Sequence, residues 1–199
     1  MDGTGPSGVP ILTLEPFIEA VRDGVEARGW LLSGLQKTTS HEFEGRWAGE
    51  DTRSAYLFFH RGDLPETVSV DVFLDETSRG LRGNLALAVG GPVLGSFSEV
   101  QSVLGRLGRS ARAVLPEGYR APVTFRAHLA DGHHEPAGAE VEVRFKLQVP
   151  SAALEAGASA VSALSGATVD AFDALLRSRV VSDLLFEGSE PLEGSTSAE

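Results

Sequence analysis

Apolar and polar residues alternate one by one through most of the middle of the chain. In residues 68–74, Val68 and Val70 are apolar, whereas Ser69 and Asp71 between them are polar. Successive side chains of a β-strand point to opposite faces of the sheet, so this alternation predicts strands with one buried face. The same pattern recurs in residues 43–47, 55–59, 81–89, 123–129 and 141–149, and residues 30–35 are a further candidate.

The connections between these segments indicate an antiparallel sheet. Those of the first half, AGED, HRGDLPE and ETSRG, are short and carry the Gly, Asp and Pro residues that tight turns require. A parallel crossover needs a dozen residues or more, so links of this length join antiparallel strands. The loop DGHHEPAG joins residues 123–129 to residues 141–149 and predicts a hairpin.

Three segments have the period of a helix. The first carries Phe17, Val21 and Val25 on one stripe and is expected to stop at Gly29. The second opens at a capping-box pattern, Ser96 followed by Glu99, and ends before Pro116. The third covers residues 151–186, with an interruption expected near Gly166.

These elements predict an α+β fold. We expect a two-layer sandwich with a mostly antiparallel, curved sheet and with the helices packed on one face. The order is helix, four or five strands, helix, two strands, helix. Residues 13–186 should form a single domain, between disordered tails at residues 1–12 and, rich in acidic residues, at 187–199.

The order of elements resembles that of the small acidic dimeric chaperones of bacterial type III secretion. Those proteins run helix, three strands, helix, two strands, helix, and this chain has at least one strand more. The resemblance concerns the succession of elements only, since no sequence motif accompanies it.

Composition excludes several kinds of activity. The chain has no Cys, which removes thiol chemistry, and its formal net charge of −11 disfavours nucleic acid and anionic membranes. No apolar run approaches the length of a membrane span, and the N-terminus lacks a basic, then apolar, export signal, so a cytoplasmic location is expected. The preference for Arg over Lys is typical of a GC-rich bacterial genome, which we favour over selection for guanidinium chemistry as its explanation. No cofactor motif is recognised, and no cofactor is predicted.

Two polar segments invite a ligand interpretation. The stretch SGLQKTTS contains Lys37 but lacks the glycines of a phosphate-binding loop, so Lys37 to Ser40 are interpreted as a polar turn or irregular edge. The hairpin loop brings His133 and His134 close to Asp131 and Glu135, which are ligand types that suit zinc, nickel or copper. A solvated hairpin tip is the preferred interpretation.

Other candidate site residues lie on the predicted strands and on the second helix. On the polar sheet face, carboxylates beside an imidazole could shift each other's pKa values and so act in acid–base catalysis. Mixed charges on an exposed sheet face also serve solubility. The polar face should present Glu42, Glu44, Asp71, Arg126, His128, Glu142 and Arg144, of which Glu42, Asp71, His128 and Glu142 are the catalytic candidates. A positive ridge that could dock an acidic partner comprises Arg106, Arg109 and Arg112.

Two functions from different classes remain. The preferred one is a non-enzymatic protein-binding module, such as a chaperone, adaptor or immunity-type protein, whose partner is another protein or a second copy of the chain. The alternative is a small-ligand-binding or enzymatic domain whose sheet curls around an apolar cavity. The residues that would line this cavity are Phe43, Trp47, Tyr56, Phe58, Phe125 and Phe145.

Overall fold

A computed structural model describes residues 14–40, 52–77, 80–92, 97–129, 136–178 and 180–181. This part of the chain contains six strands and four helices. In chain order they are α1 (Glu15–Glu26), β1 (Leu31–Ser40), β2 (Thr52–His60), β3 (Val68–Thr77), β4 (Gly80–Pro92), α2 (Phe97–Val114), β5 (Val123–Leu129), β6 (Pro136–Gln148), α3 (Ser151–Glu155) and α4 (Ala158–Leu176). The α+β class is confirmed.

All six strands belong to one antiparallel sheet, in the order β1-β2-β3-β4-β6-β5. The first four strands follow each other in space as they do in sequence. β6 lies between β4 and β5, and it pairs with β5 as the predicted hairpin partner. β1 and β5 are therefore the two edges of this sheet.

Alternate residues of the strands are buried, as the sequence pattern predicts. Val70 and Leu87 are inaccessible and Val143 is 3% exposed, and all three belong to one hydrophobic cluster. We call the side of the sheet that carries these residues the core face. Its members include Ala55, Leu57, Phe59, Val68, Val72, Leu74, Leu85, Val89, Phe145 and Leu147. The reverse side, which carries Tyr56, Asp71, Asn84, Arg144 and Lys146, is called the outer face.

α1 and α4 share this core with the sheet and pack closely on each other. Phe17, Val21 and Val25 of α1 and Val161 and Phe172 of α4 are all buried in the same cluster. The two helices approach through small residues: a Cβ atom at Gly24 would overlap the carbonyl oxygen of Ser162 and lie 3.1 Å from Cβ of Ser165. α1 ends where predicted, since Gly29 follows it with φ +81° and donates its N–H to the carbonyl of Glu26.

Hydrogen bonds from Trp30 and Arg61 link the sheet to Asp173 of α4. The Trp30 side chain is fully buried, and its Nε1 donates a hydrogen bond of 3.2 Å to Asp173. Arg61, just after β2, donates to the same carboxylate at 2.9 Å and lies 5.2 Å from the centre of the Trp30 ring. The buried indole N–H thus has a partner, and the Asp173 carboxylate has a counter-charge.

Two local predictions are wrong. Gly166 does not interrupt the last helical region: it lies inside α4 because the Arg28 guanidinium occupies the place of a side chain there. The break falls instead at Gly157, between α3 and α4, where φ is +96°. Residues 37–40 are not a turn but the second half of β1, paired with residues 52–55 of β2, whose backbone supplies their hydrogen-bond partners.

The close contact between α1 and α4 predicts opposite effects for two glycine substitutions. We expect Gly24→Ala to destabilise the protein by about 1–3 kcal/mol, because the added methyl group overlaps the backbone of α4. Gly108→Ala in α2, where nothing lies within 4 Å of an added Cβ, should stabilise by about 0.5–1 kcal/mol. Urea unfolding midpoints of the two variants test this, and equal shifts would contradict the packing described.

Candidate functional site

The outer face carries a charge network that joins three of the predicted polar residues. Arg144 forms an ion pair with Asp71 and a second one, at 3.3 Å, with Glu142. Asp71 also accepts a hydrogen bond of 2.8 Å from the hydroxyl of Ser69. The Asp71 and Arg144 side chains are 14% and 34% exposed, so solvent screens this pair only in part. A guanidinium shared by two carboxylates orients both acids and offsets one of their charges.

A second ion pair on the same face was not predicted from the sequence. Asp75 is 4% exposed, accepts a hydrogen bond of 2.7 Å from Ser54, and is also bound by Arg82 at 2.7 Å. The alternation of β3 and β4 places Asp75 and Arg82 on polar positions. Their direct pairing depends on the register of the β3–β4 hairpin, in which the two residues are cross-strand partners.

The remaining polar-face candidates are not brought into this network. Arg126 lies opposite Glu140 on the hairpin, but the described residues give it no ion pair. His128 pairs through its backbone with Gly138. The side chain of His128 lies outside the described part of the structure, as do Glu42 and Glu44 and the loop residues His133 and His134. The predicted contact between a carboxylate and an imidazole stays a prediction.

The predicted aromatic set is divided between the two faces of the sheet. Tyr56 and Phe58 lie on the outer face, where the Tyr56 ring contacts the Phe73 ring in a tilted arrangement with 4.8 Å between ring centres. Phe145 lies on the core face and is 1% exposed. Phe125 is on that side too, at the edge of the sheet, and is 49% exposed. The sheet separates these four residues, so they do not share one pocket; Phe43 and Trp47 lie outside the described residues.

The three arginines of α2 form an exposed ridge. Arg109 is about 180° round the helix from the midpoint of Leu107 and Ala111, which are buried. Arg106 and Arg112 flank it, and all three are exposed. Within the described part of the chain none of them has an ion pair, and residues 100–116 contain no Asp or Glu. We call this set the arginine ridge.

A groove of about 300 Å³ lies on the outer face at the β4–β6 junction. It is bounded by the loop between α2 and β5, which an antiparallel bridge between Arg120 and Lys146 joins to β6. We call it the cationic groove; its lining residues are Phe73, Arg82, Gly83, Asn84, Gly118, Arg120, Lys146 and Gln148. Sequence reasoning missed it. The polar positions of β4 and β6 could have indicated part of the lining of this groove. No sequence pattern indicates that Arg120 contributes to it.

The partly buried ion pair predicts a measurable coupling. Asp71→Asn should destabilise the protein by about 1–3 kcal/mol, because it removes the main counter-charge of Arg144. In a double-mutant cycle, the variant Asp71→Asn/Arg144→Gln should be destabilised by less than the sum of the two single-variant destabilisations. The control, Asp63→Asn, breaks a pair whose acid is 67% exposed and should change stability by no more than about 0.5 kcal/mol. Additive effects at Asp71 and Arg144 would contradict the network.

Comparisons with known proteins assign no family to this arrangement. No family model matches the chain, and no curated protein or solved structure shows significant similarity to it. Among the described residues, no helix is long and apolar enough to cross a membrane. The function must therefore be argued from the surfaces of the chain itself.

Proposed function

We propose that the protein is a non-enzymatic protein-binding module of the cytoplasm that docks an acidic partner protein on the arginine ridge. The observation that carries the proposal is the ridge itself: three exposed arginines that form no ion pair among the described residues, in a chain of net charge −11. In this proposal the helices form one layer over the core face, and the fold is a two-layer sandwich. The shared core of α1, α4 and the strands supports that arrangement.

The ridge is not explained by stability. Like charges three residues apart on a helix repel each other by about 0.2–0.5 kcal/mol per pair. In the described structure no carboxylate forms an ion pair with Arg106, Arg109 or Arg112. An acidic partner would remove it and would gain charge-assisted hydrogen bonds from the guanidinium groups.

The charge of the rest of the molecule would orient such a partner. The three arginines contribute +3 to the total of −11, so the remainder of the chain carries −14. An acidic protein is repelled by the net charge of this remainder and attracted at the ridge, where three arginines lie on one side of one helix. Charge patterns of this kind set orientation and association rate more than affinity.

Exposed apolar residues lie within reach of the same interface. Val123 and Phe125, on edge strand β5, are 47% and 49% exposed. The hydroxyl of Tyr119 lies 3.5 Å from the carbonyl oxygen of Gly108 in α2, and Val123 follows only four residues later. Val123 therefore lies within about 25 Å of Gly108 in α2, less than the width of a standard interface. A partner with both acidic and apolar residues fits this surface best.

The proposal predicts a charge-specific loss of binding. A labelled peptide of alternating Glu and Leu residues serves as probe. We expect Arg106→Gln/Arg109→Gln/Arg112→Gln to bind it at least about tenfold more weakly than the unmodified protein, since three contacts of about 0.5 kcal/mol each are lost. Fluorescence anisotropy measures the affinity at low salt, and raising the salt should narrow the difference.

A variant of equal charge provides the control. Arg53→Gln/Arg126→Gln/Arg177→Gln removes three arginines that are also exposed and that have no ion pair among the described residues. It should bind like the unmodified protein. Equal weakening of both variants, or of neither, would contradict a docking function for the ridge. A homodimer that dissociates only in the ridge variant would assign the ridge to a second copy and overturn the proposal of a different partner.

A further inference from the structure

We propose that the cationic groove is a binding site for a small phosphate monoester that carries a flat apolar group. The site is separate from the arginine ridge and does not depend on the proposed function. It differs also from the aromatic cavity expected from the sequence, because five of its eight lining residues are polar or charged and only Phe73 is aromatic.

The charge of the groove matches a dianion. Arg82 is already neutralised by Asp75 at 2.7 Å. The exposed side chains of Arg120 and Lys146 have neither an ion pair nor a hydrogen bond within the described ranges. Two free positive charges therefore face one groove. A phosphate monoester carries a charge of about −1.5 to −2 at neutral pH, whereas a monocarboxylate would leave one cation unmatched.

The backbone holds these two cations together. Arg120 and Lys146 exchange both of their backbone hydrogen bonds, at 2.9 and 2.7 Å, so they are direct cross-strand neighbours. The fold therefore keeps these two positively charged residues side by side despite the repulsion between them. Lys supplies a point charge and Arg a planar fork of N–H donors, the two modes by which proteins bind phosphate oxygens.

The other lining residues suit the uncharged part of such a ligand. Asn84 and Gln148 are cross-strand partners whose amide groups both donate and accept hydrogen bonds. Phe73, half-buried beside Tyr56, offers an aromatic surface on which a flat group can stack. A volume of about 300 Å³ is at the lower end for small-molecule sites, which limits the ligand to about one ring beyond the phosphate.

Titration calorimetry with phenyl phosphate tests the proposal on the full chain. We expect saturable binding of phenyl phosphate, with inorganic phosphate and benzoate each at least about tenfold weaker, because each lacks one half of the recognised group. Inorganic phosphate that binds as tightly as phenyl phosphate would overturn the role of the ring. Absence of phenyl phosphate binding at about 10 mM would overturn the site.

Single substitutions locate the binding. Lys146→Gln and Arg120→Gln should each weaken phenyl phosphate at least tenfold without loss of folding, since neither side chain has a partner in the described structure. Arg126→Gln, on the same face but outside this groove, is the matched control and should bind normally. Equal affinity in all three variants would overturn the assignment. The ridge variant should retain phenyl phosphate binding, so failure here and failure of the ridge are distinguishable.

Discussion

One-sided burial of the strands is the constraint on which the rest of the structure depends. A slip of β3 by one residue against β4 would turn Val70 to the outer face and bring Asp71 into the core, opposite apolar residues of β4 such as Leu87. Burying that unpaired carboxylate would be costly, so the register is fixed by hydrophobic burial. Both the Asp71–Arg144 pair and the cationic groove exist only in this register.

α1 and α4 support that register through a few specific contacts. The small residues Gly24 and Ser165 let α1 and α4 approach closely, and Trp30 joins the start of β1 to Asp173 of α4. α2 contributes Leu107 and Ala111 to the core, while its opposite side carries the arginine ridge. The residues of α2 that pack in the core and those that carry its positive charge thus lie on different sides of the helix, and either set can change without the other.

The alternation of polar and apolar residues predicted those features of the fold that depend only on neighbouring residues in the sequence. Alternation in β3 and β6 was enough to predict that Asp71, Glu142 and Arg144 share a face, because parity alone decides it. It could not predict that Tyr56 and Phe145 lie on opposite faces, because Tyr56 and Phe58 are apolar as well, so residues 55–59 do not show which alternate positions are buried. The interruption of the last helical region was predicted near Gly166 but lies at Gly157. Only the contact with Arg28 explains why a glycine lies inside α4. Arg120 reaches its groove through an isolated bridge that no periodicity reveals.

The position of β6 between β4 and β5 has a consequence for how the chain reaches this structure. β1 to β4 can form by successive short hairpins, and β5 with β6 forms another. Joining β4 to β6 brings together residues about 50 to 65 positions apart, which costs more chain entropy than any hairpin closure. That late encounter also completes the groove at the β4–β6 seam, so a nascent chain would acquire its anion-recognition surface only when the two halves of the sheet meet.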